Sequence, residues 1–353
     1  MSLLPLLSER DVIICGGPGG VGKTTTAAAI ALEGANRGRR SCVVTIDPAK
    51  RLADALGVAE LTNEPHRING PWPGELWALQ LDTKSTFDDV VRRNAVSPEQ
   101  AQTILDNRLY RNISGALSGT QEYMAMEKLY SLHADGQYDL VVVDTPPTRH
   151  ALDFLDAPGR LLRFLNNRIF RLLMMPTRAG LRAINVATQL FLRTVAKVVG
   201  GEVVEETVAF FEAFEGMEQG FRDRAGRVAE LLGNPETAFV VVACPRRDAV
   251  DEASFFASRL AEQGMAVDGL IVNRVFPRFG PVPAGLSGPL ADNLRDLEGV
   301  AEREERWIAQ LAARMPGAPV VRVPFLPADV HDLEGLGTIG RHVFGGSPQA
   351  ASS

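Results

Sequence analysis

The stretch GGPGGVGKTTT, residues 16 to 26, most constrains what this chain of 353 residues can fold into. Gly17, Gly22, Lys23 and Thr24 match the pattern G-x-x-x-x-G-K-[ST], in which glycines let backbone N–H groups converge on phosphate oxygens. The pattern requires a strand before it and a helix after it. The chain supplies DVIICG on one side and TTTAAAIALEGA on the other. The sequence therefore predicts a phosphate-binding loop between a strand and a helix.

Short runs rich in β-branched residues alternate with helical patterns along the chain. They lie at residues 11–16, 41–46, 76–81, 139–144, 238–243, 269–273 and 319–323. Continuous apolar runs, unlike alternating ones, indicate strands that helices cover on both faces, as in a parallel sheet. We therefore predict an α/β fold, with a doubly wound and mostly parallel sheet of the P-loop NTPase type.

Two intervals are too long for simple crossovers between strands, and both have helical patterns, at about 84–136 and 151–235. Within the first, SPEQAQTILDNRL carries a helix-start signal at Ser97 or Pro98. We predict a single domain over residues 1–345 that contains these two helical insertions. The tail at 346–353 is predicted to be disordered.

The composition excludes several classes of protein. A formal net charge of -6 argues against a general nucleic-acid binder. Cys15, Cys42 and Cys244 lie in apolar runs without metal-ligand spacing, as expected for buried thiols in a reducing cytoplasm. The N-terminus lacks a secretory signal pattern, and charged residues interrupt the apolar stretch at 161–199, so no membrane span is expected.

The loop also predicts its own chemistry. Lys23 would place a cation on the terminal phosphates of a nucleotide, and the Thr24 hydroxyl would ligate Mg²⁺. The residues predicted to hold the phosphates are Gly19, Gly20, Val21, Gly22, Lys23, Thr24 and Thr25.

Two aspartates end predicted strands. Asp144 closes DLVVVD, where a carboxylate can hold Mg²⁺ through water. Asp47 closes the strand in VVTIDPA, where a second carboxylate can orient or deprotonate the attacking water. Either aspartate could instead cap the helix that follows it. The predicted catalytic residues are Lys23, Asp47 and Asp144, and the predicted magnesium ligands are Thr24, Asp47 and Asp144.

A late strand indicates which base the nucleotide carries. Guanine-specific P-loop proteins usually have N-K-x-D after such a strand, whereas this chain reads IVNRVF. Asn273 therefore lacks the acidic partner that guanine requires. ATP is the predicted nucleotide.

The assembled segments resemble the ArsA-type ATPases, a family that includes the arsenite-pump ATPase and the ATPase that targets tail-anchored membrane proteins. The resemblance runs from GGPGGVGKTTT through TIDPAKRLADALG, VVVDTPPTRHALDFL, ETAFVVVACP and LIVNRV to VPFLPADVHDLEGL. The order and spacing of these segments together are more specific than any one of them. The resemblance covers most of the chain.

This resemblance implies roles for particular residues. Asp47 would lie in a first switch and activate water, and residues 144–150 would form a second switch. Asn273 would hold adenine together with the segment from Pro324 to Pro327, which includes Phe325. It also implies dimers that close over ATP, in which helical insertions open or shut an apolar surface.

Three features depart from the family pattern. Pro18 replaces the lysine that family members send across the dimer to the partner's phosphates. The second switch reads DTPPTRH, with Pro146 and Arg149 where the family usually has Ala and Gly. No C-x-x-C follows Asn273, so no zinc is expected, and no cysteine cluster offers the thiolates that arsenite requires.

The insertion at 151–235 leaves two interpretations open. Residues 151–200 hold eight Arg or Lys against two acids, threaded through apolar residues that include Met174 and Met175. Two helices that pack on the main domain of the same chain, with complementary charges on their solvated faces, would explain this pattern. A pliable groove for apolar client helices would explain it too.

We therefore predict a Mg-ATP-hydrolysing, dimeric switch that handles apolar membrane-protein segments. An ATPase that energises anion export fits the family but not the cysteines. A positioning protein of the chromosome-partition type would share the loop, although it normally keeps the lysine. Pro18 keeps a further alternative open, an ATP-binding scaffold with weak turnover. The predicted partner is a second copy of the chain, or a lysine-bearing relative that would complete this chain's site.

Overall fold

A computed structural model describes residues 3–47, 49–111, 120–167 and 201–345. The strands are β1 Val12–Gly16, β2 Arg40–Thr45, β3 His66–Ile68, β4 Glu75–Gln80, β5 Leu140–Asp144, β6 Thr237–Ala243, β7 Gly269–Val275 and β8 Val320–Pro324. The first helices are α1 Leu4–Glu9, α2 Lys23–Asn36, α3 Arg51–Leu56, α4 Thr83–Asn94, α5 Pro98–Asp106 and α6 Thr120–Ala134. The later ones are α7 Thr148–Asn166, α8 Gly201–Ala213, α9 Glu218–Gly233, α10 Arg247–Glu262, α11 Pro289–Ala313 and α12 Leu333–Phe344.

The strands form one sheet in the order β3-β4-β2-β5-β1-β6-β7-β8. Every pairing is parallel except that of β3 with β4, which is antiparallel. The predicted α/β fold with a mostly parallel sheet is confirmed. All seven predicted strands are present, with ends shifted by one or two residues, and β3 is an additional strand at the edge of the sheet.

The chain divides into two compact units. Unit 1 comprises residues 1–81, 131–152 and 233–353, and unit 2 comprises residues 82–130 and 153–232. Unit 1 contains the sheet, and the described part of unit 2 is helical. Each unit has its own apolar core.

The central strands of unit 1 are buried along their whole length, which is why their sequences are apolar without alternation. Helix α2 lies close against the sheet. A Cβ at Gly34 would fall 2.4 Å from the Ser41 hydroxyl oxygen, so this approach requires glycine. The three cysteines are free and buried, as predicted for Cys15, Cys42 and Cys244.

Unit 2 packs its helices around aromatic and aliphatic side chains from α4, α5, α6, α7, α8 and α9. Ser97 caps α5 through a hydrogen bond that its side chain accepts from Gln100 N, which confirms the predicted start of this helix. Leu165 of α7 is buried in this core. Inside the unit, Arg224 pairs with the buried Glu127 and stacks on Tyr130.

Several predictions fall on residues outside the described ranges. They include the tail at 346–353 and most of the basic apolar stretch, with Met174 and Met175. Among the helices in the described ranges, none is both long enough and apolar enough to cross a bilayer.

Candidate functional site

The sheet order places a topological switch point at the carboxyl end of β1. From β1 the chain crosses to β2, which lies beyond β5, whereas β6 later pairs on the opposite side of β1. In open α/β sheets, ligands bind outside the carboxyl ends of the strands at such a point. The glycine-rich loop leaves β1 at this position and leads into α2.

The conformation of the loop explains its glycines. Gly17, Gly20 and Gly22 have φ values of 148°, 73° and 92°, which L residues with a side chain rarely adopt. A Cβ at Gly17 would also lie 2.0 Å from the carbonyl oxygen of Val242, and one at Gly22 would lie 2.4 Å from Asn273 Nδ2. The loop is therefore pressed against both β6 and β7.

The other predicted phosphate-binding residues continue along this turn. Gly19 is exposed, with the side chain of Pro147 opposite it, and Val21 is fully buried. Thr24 and Thr25 are half-buried in the first turn of α2. Since backbone N–H groups at a helix N-terminus have no intrahelical partner, this turn suits an anion.

Lys23 is the first residue of α2 and is 7% exposed. Its Nζ donates a 2.7 Å hydrogen bond to the carbonyl oxygen of Pro18. Burial lowers the pKa of Lys23, and the charges of Asp144 and Asp47 oppose this shift. The ammonium group thus lies inside the loop, and its acceptor is a main-chain atom that any residue at position 18 would supply.

Asp144 joins β5 to two hydroxyl groups. Its Oδ2 accepts hydrogen bonds from Thr24 Oγ1 at 2.7 Å and from Thr45 Oγ1 at 2.8 Å. The carboxyl group is 1% exposed, and its burial raises the pKa to about 6 although both hydrogen bonds oppose the shift. Oδ1 has no hydrogen-bond partner among the described residues. An unpaired carboxylate oxygen beside a hydroxyl group is a suitable ligand set for Mg²⁺, which it would bind directly or through water.

Asp47 makes local contacts. Its Oδ1 accepts a 2.9 Å hydrogen bond from Ala49 N, and its Oδ2 pairs with Arg51 at 3.3 Å. The hydrogen bond closes a turn ahead of α3, whose N-cap is Lys50, and no side chain of the described residues caps this helix, so the capping alternative for Asp47 is not supported. The role of Asp47 toward water, or as a magnesium ligand, stays a prediction.

Asn273 lies next to the loop rather than apart from it. Its Nδ2 donates a 2.9 Å hydrogen bond to Val21 O, and its Oδ1 accepts one of 2.9 Å from Arg274 N. An amide group has two N–H hydrogens and two lone pairs, so half of its capacity remains for a base edge. Pro324 ends β8 opposite Val275, and Phe325, 63% exposed, follows it. The adenine role of these residues stays a prediction.

A pocket of about 370 Å³ borders the outer side of the loop. Its walls are Pro18, Gly19, Pro147, Arg246, Asp248, Ala249 and Glu252. Thr145, which precedes the two prolines of the predicted second switch, donates a 2.8 Å hydrogen bond to Cys15 O. The start of that segment is therefore fastened to the end of β1.

The sequence did not single out Thr45 or Arg274 as part of the site. Thr45 pairs with Asp144 in the register of β2 and β5, and this pairing is set by the sheet order rather than by a motif. Arg274 contacts Gly20 across 254 residues. The one available signal was the position of both residues near the carboxyl ends of predicted strands.

Comparison with known proteins identifies the family. A family model described as anion-transporting ATPase matches residues 10–345, nearly the whole chain. The chain belongs to this family. The predicted resemblance to ArsA-type ATPases is thus confirmed, and so is the prediction that the protein is an ATPase that binds ATP through a P-loop.

Relatives of this family member come from bacteria and eukaryotes. A putative arsenical pump-driving ATPase 1 of Aquifex aeolicus is 24% identical over 96% of this chain and 79% of its own length. An uncharacterized protein of Streptomyces coelicolor is 32% identical over 82% of this chain and 68% of its own length. The ATPase GET3 of Malassezia globosa is 25% identical over 97% of this chain and 94% of its own length.

Proposed function

We propose that this ArsA-type ATPase hydrolyses Mg-ATP as a nucleotide-driven dimeric switch in the cytoplasm and handles apolar segments of membrane proteins. One observation carries the hydrolytic part of the proposal. The hydrogen bonds of Thr24 and Thr45 to Asp144 assemble hydroxyl groups and a buried carboxylate beside the enclosed Lys23 ammonium. These are the groups that a phosphoryl-transfer site needs around the terminal phosphates.

Each group has a role in the proposed site. The N–H groups of residues 19–25 cradle the phosphates, and Lys23 offsets their terminal charge. Thr24 and Asp144 would hold Mg²⁺, which would neutralise charge on the phosphate oxygens when it is bound with ATP. Asp47 orients the attacking water and leaves its contacts with Ala49 and Arg51 to do so.

The client class rests on the sequence of the second insertion and on the relatives. In its described part, Leu165 is buried in the core of unit 2, and Leu161 and Leu162 pack against that core. We therefore assign client contact to Phe170, Leu173 and Met174, which follow in the sequence. Relatives named ATPase GET3 match over 95% and 97% of this chain, which supports a client of the tail-anchored class that the family resemblance implies.

A capture assay tests this assignment. The variant with Phe170, Leu173 and Met174 all changed to Ser is expected to lose binding of an apolar helical peptide while ATP binding is kept. The matched control is Phe255→Ser, because Phe255 is 54% exposed on α10 in unit 1. A triple variant that melts or aggregates would show that these residues belong to the core of the protein.

A second candidate is an ATPase that energises anion export. The family description and the name of the Aquifex relative favour it. Against it, the chain has three cysteines, all buried in or next to central strands, so none offers the thiolate that arsenite requires. Stimulation of ATP turnover by arsenite would decide for this candidate, and we expect none.

The proposed partner is a second copy of the chain or a relative that carries a lysine at the position of Pro18. In the first case both sites lack that cation, and the protein acts as an ATP-binding scaffold with weak turnover. In the second case the relative's lysine completes this chain's site. Sedimentation of the purified protein with and without Mg-ATP would separate a nucleotide-dependent dimer from a monomer.

A further inference from the structure

We propose that Asn273 and Arg274 form a clamp on the phosphate loop, and that Arg274 is a positioning residue for the phosphate chain. We call this pair the loop clamp. The proposal rests on the nucleotide-binding part of the proposed function and adds to it. It assigns Asn273 a second task and gives Arg274, to which the sequence analysis assigned no role, a role in the same site.

The clamp holds two successive carbonyl groups. Asn273 Nδ2 donates to Val21 O at 2.9 Å, and Arg274 Nη1 donates to Gly20 O at 3.3 Å. Both donors come from the end of β7, and both acceptors belong to the turn that leads into α2. The same amide nitrogen also lies against the next residue of the loop, since a Cβ at Gly22 would fall 2.4 Å from Asn273 Nδ2.

Holding these carbonyls also orients the neighbouring N–H groups. In a trans peptide the C=O of one residue and the N–H of the next point in opposite directions within one plane. When Gly20 O faces Arg274, the N–H of Val21 faces away from β7. When Val21 O faces Asn273, the N–H of Gly22 faces away as well. The clamp therefore presets two of the donors that the phosphate cradle needs.

The backbone of Arg274 shows that this arrangement is imposed. Its φ is 57°, and it is the sole non-glycine residue with a positive φ among those described. An L residue with a long side chain adopts this region only where its surroundings fix it. The hydrogen bond from Arg274 N to Asn273 Oδ1 anchors the peptide that precedes this residue, and the pairing of β7 with β8 is irregular between Val272 and Val275. Strain at such a place is typical of a functional site.

Calorimetric titration of the full chain tests the clamp. Arg274→Gln is expected to weaken Mg-ATP binding about three- to tenfold, the worth of one hydrogen bond that orients a donor. Affinity for inorganic triphosphate, measured by competition with Mg-ATP, should fall by the same factor, because the N–H groups contact phosphates and not the base. Arg274→Lys should restore part of the affinity. Arg295→Gln is the matched control, since Arg295 is an exposed arginine paired with Asp292 on α11.

A glycine variant separates positioning from folding. Arg274→Gly relieves the positive φ, so its melting temperature should equal or exceed that of the natural chain while its ATP affinity falls. A parallel loss of melting temperature and affinity in both the Gln and Gly variants would overturn the clamp, because the residue would then serve the fold alone. A loss for ATP without a loss for triphosphate would also overturn it, because Arg274 would then contact the base.

The proposed function and the clamp fail in different ways. If the natural chain binds neither Mg-ATP nor triphosphate, the proposed function is wrong and the clamp with it. If the natural chain binds both, and the Gln and Gly variants bind them equally well, the clamp alone is wrong.

Discussion

The hydroxyl group of Thr24 donates a 2.7 Å hydrogen bond to Asp144 Oδ2 and so ties the first turn of α2 to the end of β5. Thr45 donates a second bond to the same oxygen. Both bonds favour the ionised carboxylate, yet burial outweighs them and raises the pKa of Asp144 to about 6. At neutral pH the buried carboxylate is ionised, and in the metal-free protein this charge lowers the stability of the fold.

Asp144→Asn is expected to stabilise the metal-free, nucleotide-free protein at neutral pH. The pKa of Asp144 is raised to about 6 in the folded state. Between about pH 4 and pH 6 the folded chain therefore binds more protons than the unfolded chain. The stability of the natural chain thus falls as pH rises from about 4 to about 6, and the neutral Asn lacks this loss. The free energy of unfolding in urea should differ by on the order of 1–3 kcal/mol at pH 7.5, and by little near pH 4.

Asp139→Asn provides a control with the opposite sign. A hydrogen bond from Arg40 lowers the pKa of Asp139, so this carboxylate stabilises the fold above its usual pKa and loses that effect as pH falls. Its Asn variant should be less stable than the natural chain at pH 7.5. A stability difference for Asp144→Asn that stays constant between pH 4 and pH 7.5 would contradict the buried charge.

Lys23→Ala is expected to lose most Mg-ATP binding. The ammonium group of Lys23 is enclosed by the loop, and removal of a charge-assisted contact with phosphates there weakens affinity on the order of 10²-fold. Calorimetric titration measures the loss. Lys128→Ala, at a half-buried lysine of α6, should bind ATP as the natural chain does. Unchanged affinity in the Lys23 variant would remove the nucleotide assignment of the loop.

Asp47→Asn distinguishes a catalytic role of Asp47 from a purely structural one in the turn before α3. The Asn side chain keeps an oxygen for the hydrogen bond from Ala49 N, so the turn before α3 should persist. If Asp47 orients water, turnover falls roughly 10²- to 10⁴-fold while ATP binding is kept. The exposed Asp54 of α3 supplies the matched variant, Asp54→Asn, which should turn over normally. Equal turnover in the two variants would mean that Asp47 serves only to close the turn before α3.

Pro18→Lys is expected to raise the turnover of the isolated chain. Lys23 bonds to the main-chain carbonyl of residue 18, so the substitution leaves that contact in place. A cation that reaches the phosphates of a partner subunit contributes on the order of 10³-fold to phosphoryl transfer. Pro18→Gln supplies the neutral control. Brisk turnover of the natural chain, with no gain from lysine, would show that Lys50, Arg51 or another local cation already acts there.

Much of the sheet was predictable because buried parallel strands need continuous apolar runs. The seven strands that carry such runs were found, and β3 was missed because two of its three residues are exposed. Only its antiparallel pairing with β4 makes it a strand. No local pattern in the sequence predicts an antiparallel pairing of this kind.

The site was predictable as far as its motifs reach. Residues 17–24 and Asp144 lie together, as expected for residues that follow the carboxyl ends of neighbouring parallel strands. The contact of Asn273 with Val21 spans 252 residues and depends on the loop and β7 meeting, so no motif could state it. The left-handed backbone of Arg274 was not predictable either, since nothing in the letters IVNRVF indicates it.

The central position of β1 has a consequence for synthesis of the protein. Strand β1 lies between β5 and β6, and β6 begins only at Thr237. A ribosome releases β1 and its loop before β5 and β6, and until Thr237 emerges one side of β1 has no strand to pair with. Unpaired strand edges invite association with other chains. The nascent polypeptide thus carries its phosphate loop on an open edge until β6 is synthesised, the stage at which a chaperone would protect it most.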